Sequence, residues 1–203
     1  MTKTKSTYLA LLAVLLSPMA ANADSISAID PVGEAAFGSG NFTVGWSFTA
    51  NEDILVTDLG YYDRGADGLA DDHLVGVWTI GGMLLGSATV TNANVLDGLF
   101  RYASISSLLL SAGMDYVIGA LNSNSADGYI ASVSFSTPDE ISFIQGRFAG
   151  GGSLAFPGSV DNTGGASIFG ASFKFTEVPE PGTLALLGLG LAGMSITRRR
   201  KKV

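Results

Sequence analysis

Four carboxylates fall within one ten-residue stretch of the chain: Asp63, Asp67, Asp71 and Asp72. Gly65 and Gly68 lie between them and allow tight turns. Calcium binds several oxygen ligands at once, so closely spaced aspartates are candidate calcium ligands. The spacing differs from that of an EF-hand loop, and the alternative is an ordinary polar connection between strands that is rich in turn-forming residues.

His73 is the only histidine, so any Ser-His-Asp arrangement would have to use it. The chain contains no Gly-x-Ser-x-Gly elbow, no His-Glu-x-x-His pair and no Gly-x-x-x-x-Gly-Lys-Ser/Thr loop. We interpret His73 as a structural hydrogen-bonding residue and assign no catalytic residue. The alternative is a glycan-active hydrolase, because such an enzyme needs only two Asp or Glu carboxylates at a suitable separation.

Five aromatic residues could form a platform on which sugar rings stack: Trp46, Tyr61, Tyr62, Trp78 and Tyr102. Trp46 and Trp78, however, lie within segments of alternating apolar and polar residues. This pattern is typical of half-buried strands. We therefore expect both tryptophans to belong to the hydrophobic core.

The body of the chain, residues 24–177, is strongly acidic. Seventeen Asp and Glu residues oppose only four Lys and Arg residues there, so the body carries a formal charge of −13 against −7 for the whole chain. Such a surface is repelled by phosphate backbones, and nucleic acid is not an expected partner. The chain has no cysteine, which excludes disulfides, Cys-ligated zinc and thiol catalysis.

Apolar residues alternate with polar ones along most of the body, as in residues 42–49. Gly81-Gly82 separates two such runs, 73–80 and 83–90, and is a hairpin signal. About nine short strands separated by turn residues predict an all-β, antiparallel β-sandwich or jelly-roll-like domain over residues 24–177. Residues 149–166 are the longest stretch without a strand pattern.

Both ends of the chain read as targeting segments. Residues 1–23 combine two lysines, an uncharged apolar run and a small-x-small site at Ala21 and Ala23. This order is that of a secretory signal peptide with its signal helix, which directs a chain to the Sec export machinery. Residues 178–203 contain a Pro-rich motif (178–183), an apolar stretch predicted to be helical (183–197) and a basic run (198–202).

Cations beside an apolar helix stay on the cytoplasmic side of a membrane, so the motif and the body should face outward. Fifteen helical residues span about 22 Å, less than the ~30 Å hydrocarbon core. The tail is therefore expected to hold the membrane only transiently. Its predicted sorting residues are Pro179, Glu180, Pro181, Arg198, Arg199 and Arg200.

The tail resembles the PEP-CTERM sorting signal of Gram-negative bacteria that make extracellular polysaccharide. The matching parts are Val178-Pro-Glu-Pro-Gly-Thr183, the Leu/Gly/Ala stretch and the closing basic run. The resemblance implies an exosortase, a membrane protease-transferase that cuts near the Pro-Glu-Pro segment. Related tails are also labelled the C-terminal domain of ice-binding proteins, a label that describes the tail only.

The body also resembles a module that is common in exported PEP-CTERM proteins and is known as a domain of unknown function. The matching residues run from Phe48 to about Val90 and include His73-Leu-Val-Gly-Val-Trp78; Leu110 to Val117 resembles a later strand of the module. This resemblance implies a fold and no activity.

These observations predict a non-enzymatic protein that passes the inner membrane and reaches the cell surface, the outer membrane or the extracellular matrix of a Gram-negative bacterium. There it would associate with extracellular polysaccharide, as in a biofilm, by structure or by weak glycan binding. No cofactor is expected apart from the calcium considered above. Besides the hydrolase, the third possibility is a calcium-stabilised adhesion module.

Overall fold

The computed structural model of the chain describes residues 24–32, 37–38, 40–123, 126–131, 134–161 and 168–178. The predicted signal peptide and its residues Ala21 and Ala23 lie outside the described residues. So does the tail beyond Val178, with the predicted sorting residues Pro179, Glu180, Pro181, Arg198, Arg199 and Arg200. Among the described residues, no helix has the length and apolar character needed to cross a membrane.

The described chain is built from strands and one short 3-10 turn, Arg64–Ala66. In chain order the strands are β1 (Ile26–Ser27), β2 (Asp30–Val32), β3 (Phe37–Gly38), β4 (Phe42–Ala50), β5 (Ile54–Tyr62), β6 (His73–Thr79), β7 (Leu84–Val90), β8 (Val95–Asp97), β9 (Phe100–Leu110), β10 (Met114–Leu121), β11 (Tyr129–Ala131), β12 (Ser134–Ser136), β13 (Ile141–Gly150), β14 (Ser159–Val160), β15 (Ile168–Phe169) and β16 (Ala171–Glu177).

Two sheets form the sandwich. The first has the strand order β1-β16-β5-β9-β8, and the second has the order β14-β13-β4-β10-β6-β7. Two small sheets, β15-β11-β3 and β12-β2, complete the described structure. Every strand pair among the described residues is antiparallel, as in the hairpin of β6 and β7 around Gly81-Gly82. The prediction of an all-β, antiparallel sandwich-like body is confirmed.

The core lies between the two large sheets and is filled by aromatic side chains. Trp46 of β4 is fully buried, and its indole stacks on Phe173 of β16 with 5.9 Å between ring centroids. The indole N–H donates to the carbonyl of Ala171 at 2.9 Å, so its single polar group has a partner. Burying one large apolar side chain contributes about 1.5–3 kcal/mol, so Trp46 and Phe173 each stabilise the sandwich.

The outer face of the six-stranded sheet is covered by the chain between β13 and β14. Phe156 packs edge-on against Trp78 at 6.3 Å, and the backbone N–H of Ala155 donates to the Thr43 hydroxyl at 3.1 Å. A Cβ on Gly119 would come within 3.0 Å of Pro157. Glycine at this position therefore lets the covering segment approach the sheet closely.

The turns gather at two ends of the sandwich. At one end, the N–H of Val178 donates to the carbonyl of Asp53, and the Asp53 carboxylate accepts from the N–H of Ala112. The β6–β7 turn lies at this end as well, because the N–H of Ile80 donates to the carbonyl of Asp115. We call this the tail end, because the predicted sorting tail starts there. The opposite, loop end contains residues 63–72, 91–99, 122–123 and 126–128.

Candidate functional site

A groove opens where the edges of the two large sheets meet, between β7 and β9. Its volume is about 630 Å³. The walls are formed by Leu85, Gly86, Ser87, Ala88 and Thr89 of β7 and by Ala103, Ser104, Ile105, Ser106, Ser107 and Leu108 of β9. A volume of this order lies within the usual range of small-molecule sites, which is about 300–1,000 Å³.

The groove combines an apolar floor with a rim of hydroxyl groups. The floor residues are partly buried and pack against the core: Leu85, Ala88, Ile105 and Leu108. The rim residues are exposed: Ser87, Thr89, Ser104, Ser106 and Ser107. All eleven lining residues are uncharged, although the body as a whole is strongly acidic.

Both walls of the groove are irregular strands. In β7, Val77 pairs with Gly86 while Trp78 pairs with Leu84, so Leu85 is an extra residue. In β9, Leu108 pairs with Val56 while Ser104 pairs with Asp58, so three residues of β9 face one of β5. These bulges bend the two strands and interrupt their ladders, a feature that is enriched at sheet edges and beside functional sites.

Backbone groups on both sides of the groove lack a neighbouring strand within the described chain. Among the described strands, β7 is the edge of its sheet and pairs with β6 alone. β8 pairs with β9 at Phe100, Arg101 and Tyr102, so from Ala103 onward β9 has no described strand on that side. The groove can therefore offer backbone N–H and C=O groups, as well as hydroxyls, to a bound molecule.

A carboxylate lies behind one part of the rim. The Ser104 hydroxyl donates to Oδ1 of Asp58 at 2.6 Å, and the Thr57 hydroxyl donates to Oδ2 at 2.8 Å. Asp58 belongs to β5 and does not line the groove. The hydrogen bond to Asp58 fixes the direction of the Ser104 O–H. The lone pairs of the Ser104 oxygen can then accept a further hydrogen bond.

The acidic loop does not place its four carboxylates together. Asp63 is fully buried, and its Oδ2 accepts from Nε of Arg101 at 2.7 Å, while Oδ1 accepts from the N–H of Gly68 at 3.2 Å. The other three, Asp67, Asp71 and Asp72, are exposed. Within the described ranges, no group of three or more His, Cys, Asp or Glu side chains could hold a metal ion. Calcium binding rests on the sequence pattern and stays a prediction.

His73 is buried, with 1% of its surface exposed. Its Nδ1 donates to the carbonyl of Leu121 at 3.0 Å, and its Nε2 lies 2.8 Å from Oδ2 of Asp127. The Asp127 carboxylate also accepts from the backbone N–H groups of Ala70 and Asp71, at 2.8 and 3.1 Å. The interpretation of His73 as a structural hydrogen-bonding residue agrees with this burial and these partners.

Tyr61 completes this buried network at the loop end. Its ring stacks on the His73 imidazole, and its hydroxyl donates to the carbonyl of Gly128 at 2.5 Å while it accepts from Nδ2 of Asn122 at 2.9 Å. Burial raises the pKa of the Tyr61 hydroxyl far above its usual value. All four members of the network are buried, and Asp127 is the most exposed of them at 8%.

The aromatic residues considered as a sugar-stacking platform are buried instead. Trp46 and Trp78 are 0% and 4% exposed, so both are buried as expected, but Trp46 lies in the core between the two sheets whereas Trp78 lies on the outer face of the six-stranded sheet under Phe156. Tyr61, Tyr62 and Tyr102 are also buried. These five residues therefore offer no exposed platform, and the sequence analysis did not single out the residues that line the groove. The one available signal was the run Ser104-Ile-Ser-Ser107, which breaks the alternation of β9.

The β-fold and the sequence of the tail define a class: exported all-β domains that carry a C-terminal sorting signal. Residues 28–165 match the family described as domain of unknown function DUF4082, and residues 177–201 match the PEP-CTERM protein-sorting motif. Since the first match covers more than half of the chain, the chain belongs to the DUF4082 family. No curated protein matches the chain.

Both resemblances found in the sequence are confirmed by these matches. The sorting motif marks an exported protein of Gram-negative bacteria that is directed to the cell surface, with an exosortase as its processing partner. The family of the body has no described function.

Proposed function

We propose that the body is a non-enzymatic surface or matrix protein that binds an uncharged segment of extracellular polysaccharide in the groove between β7 and β9. The observation that carries the proposal is the uncharged lining, with an apolar floor and a hydroxyl rim, on an otherwise acidic body. Sugar rings present apolar C–H surfaces and many hydroxyls. The C–H surfaces match the apolar floor, which includes Leu85 and Ile105. The hydroxyls match the rim, which includes Ser87 and Ser106.

The shape of the groove favours an extended ligand. From Leu85 to Thr89 the β7 wall rises by four residues, about 13 Å at ~3.3 Å per residue. This length suits a short stretch of a polymer rather than a single sugar. Without an aromatic platform, each contact is weak, and we expect low affinity for one site and stronger retention on a polymer that engages many copies of the protein.

Binding without cleavage is proposed because the groove lining, over the part of the chain that the structure describes, contains no carboxylate. A glycoside hydrolase needs a pair of carboxyl groups about 5–10 Å apart that flank the scissile bond. Asp58 is the carboxylate next to the rim, and its two oxygens accept hydrogen bonds from Ser104 and Thr57. The hydrolase alternative predicts released reducing sugar that a single carboxylate-to-amide substitution abolishes.

The proposal is tested by retention of the mature, surface-recovered protein on polysaccharide purified from the same host. Replacing Ser87, Ser106 and Ser107 together by alanine should weaken binding by about tenfold or more, since each hydroxyl contributes ~0.5–1.5 kcal/mol. The matched control replaces the exposed Ser134 and Ser136 of β12 by alanine, which should leave retention unchanged. Equal retention of the groove variant and the control would contradict the proposal.

A further inference from the structure

We infer that a cluster of exposed apolar residues at the tail end rests on the outer surface of the lipid bilayer while the tail still holds the chain there. The cluster consists of Ile80, Met83, Leu84 and Met114. The inference depends on the insertion of residues 183–197 into the membrane that the sequence predicts. It is independent of polysaccharide binding in the groove.

The cluster exposes large apolar side chains on two neighbouring turns. Ile80 and Met83 form the β6–β7 turn and are 43% and 63% exposed, Leu84 follows at 49%, and Met114 begins β10 at 56%. The two turns are adjacent because the N–H of Ile80 donates to the carbonyl of Asp115, the residue after Met114. Grouped apolar exposure of this kind marks a surface that another apolar phase covers.

The place where the tail begins indicates that this apolar phase is the lipid bilayer. Val178 is the last residue described, and its N–H donates to the carbonyl of Asp53. The carboxylate of Asp53 in turn accepts from the N–H of Ala112. Ala112 lies two residues before Met114 in the chain. The chain therefore leaves the body at the same end as the cluster.

The tether between the body and the apolar stretch is short. Thr183 lies five positions after Val178, and a fully extended chain covers at most about 3.6 Å per residue, or ~18 Å. Pro179 and Pro181 stiffen this tether. When residues 183–197 enter the bilayer, the tail end of the body is held next to the lipid headgroups.

Charge predicts which lipid surface the cluster prefers. The cluster itself is uncharged, but Glu52, Asp53 and Glu177 are exposed at the same end of the body. These carboxylates repel anionic headgroups, so contact should be stronger on uncharged lipid. The cluster thus forms the apolar contact with the membrane and orients the body with its loop end away from the bilayer.

The natural absence of cysteine makes a direct test possible. The full chain is reconstituted into phosphatidylcholine vesicles with one nitroxide label on Met83→Cys, on the loop-end control Asp67→Cys, or on the tail reporter Leu186→Cys. Collision rates with oxygen, which concentrates in lipid, are compared with those of a water-soluble nickel chelate. All three variants are expected to fold, because Met83 and Asp67 are exposed and Leu186 belongs to the predicted tail rather than to the β-domain.

The inference predicts a several-fold higher ratio of oxygen to nickel collisions for Met83→Cys than for Asp67→Cys, and a smaller ratio when phosphatidylglycerol replaces half of the lipid. A lipid-like collision ratio for Leu186→Cys together with a water-like ratio for Met83→Cys would overturn this inference but leave the membrane insertion of the tail intact. A water-like collision ratio for Leu186→Cys would overturn the predicted membrane insertion of the tail and, with it, this inference. Neither result bears on polysaccharide binding.

Discussion

The rings of Tyr61 and His73 lie face to face, 3.5 Å apart between centroids and 2° from parallel. Tyr61 belongs to β5 of the five-stranded sheet and His73 to β6 of the six-stranded sheet. The stack therefore joins the two layers of the sandwich at the loop end. Asp127 binds Nε2 of His73, and Asn122 binds the hydroxyl of Tyr61. Both residues belong to the chain that follows β10, which is thereby joined to the stack.

Replacing Asp127 by alanine should destabilise the body strongly. The substitution removes the acceptor of His73 Nε2 and of the backbone N–H groups of Ala70 and Asp71. Leaving a buried hydrogen-bond donor without its acceptor costs about 1–3 kcal/mol, and three donors lose their acceptor here, so the total should reach about 3 kcal/mol or more. We expect a loss of this size in the free energy of unfolding measured by urea titration. The exposed Asp67, replaced by alanine, is the control and should change stability by less than about 0.5 kcal/mol.

The two buried tyrosines Tyr61 and Tyr102 should make the fold sensitive to alkali. Burial raises the pKa of both hydroxyls above the unfolded value of about 10. A raised pKa means that the folded state holds the proton more tightly, so this stabilisation is complete below pH ~10 and is lost as the pH rises above it. The melting temperature should therefore fall as the pH is raised from about 10 to 12.

The phenylalanine variants isolate this effect. Tyr61→Phe and Tyr102→Phe each lose hydrogen bonds and should be less stable at neutral pH, but their melting temperatures should fall less steeply in alkali. Curves that run parallel to the wild type above pH ~10 would show that neither hydroxyl controls alkaline unfolding.

Gly45 should tolerate no side chain. It lies in the middle of the six-stranded sheet between β10 and β13, and a Cβ there would come within 1.9 Å of the Ile118 carbonyl oxygen. Because the obstacle is backbone, Gly45→Ala should cost about 1–3 kcal/mol or more in unfolding free energy. Gly150→Ala is the control, since no atom lies within 4 Å of its Cβ position. Similar stabilities of the two variants would refute the clash.

The calcium hypothesis for the acidic loop predicts a higher melting temperature in calcium than in a chelator. Asp67, Asp71 and Asp72 are the exposed carboxylates of the loop, so replacing all three by asparagine should abolish the shift. Asp63 is left intact because Arg101 already pairs with it. An identical melting temperature in calcium and in chelator would rule out stabilisation of the body by calcium.

The sequence predicts the fold well where the signal is local. Alternation marks β4, and Gly81-Gly82 marks the hairpin of β6 and β7. Both features depend on residues that are near one another in the chain. The antiparallel sandwich follows from repeating such short strands with turns between them.

The site could not be predicted because it depends on distant residues. Asp127 contacts His73 across 54 positions, and nothing in its local sequence marks it. The groove arises only when the bulges of β7 and β9 meet at the open edges of two different sheets. The sequence shows residues 149–166 as a stretch without a strand pattern. The packing of Phe156 from this stretch over Trp78, however, depends on the geometry of the folded sheet.

Hydrogen–deuterium exchange measures most directly where polysaccharide contacts the body. The mature protein is compared with and without polysaccharide purified from its host. We expect slower exchange of backbone amides in residues 84–90 and 103–108, because these strand edges lack a neighbouring strand among the described residues and would be covered by the ligand. Unchanged exchange in both segments at a polysaccharide concentration that retains the protein would contradict the assignment of the groove.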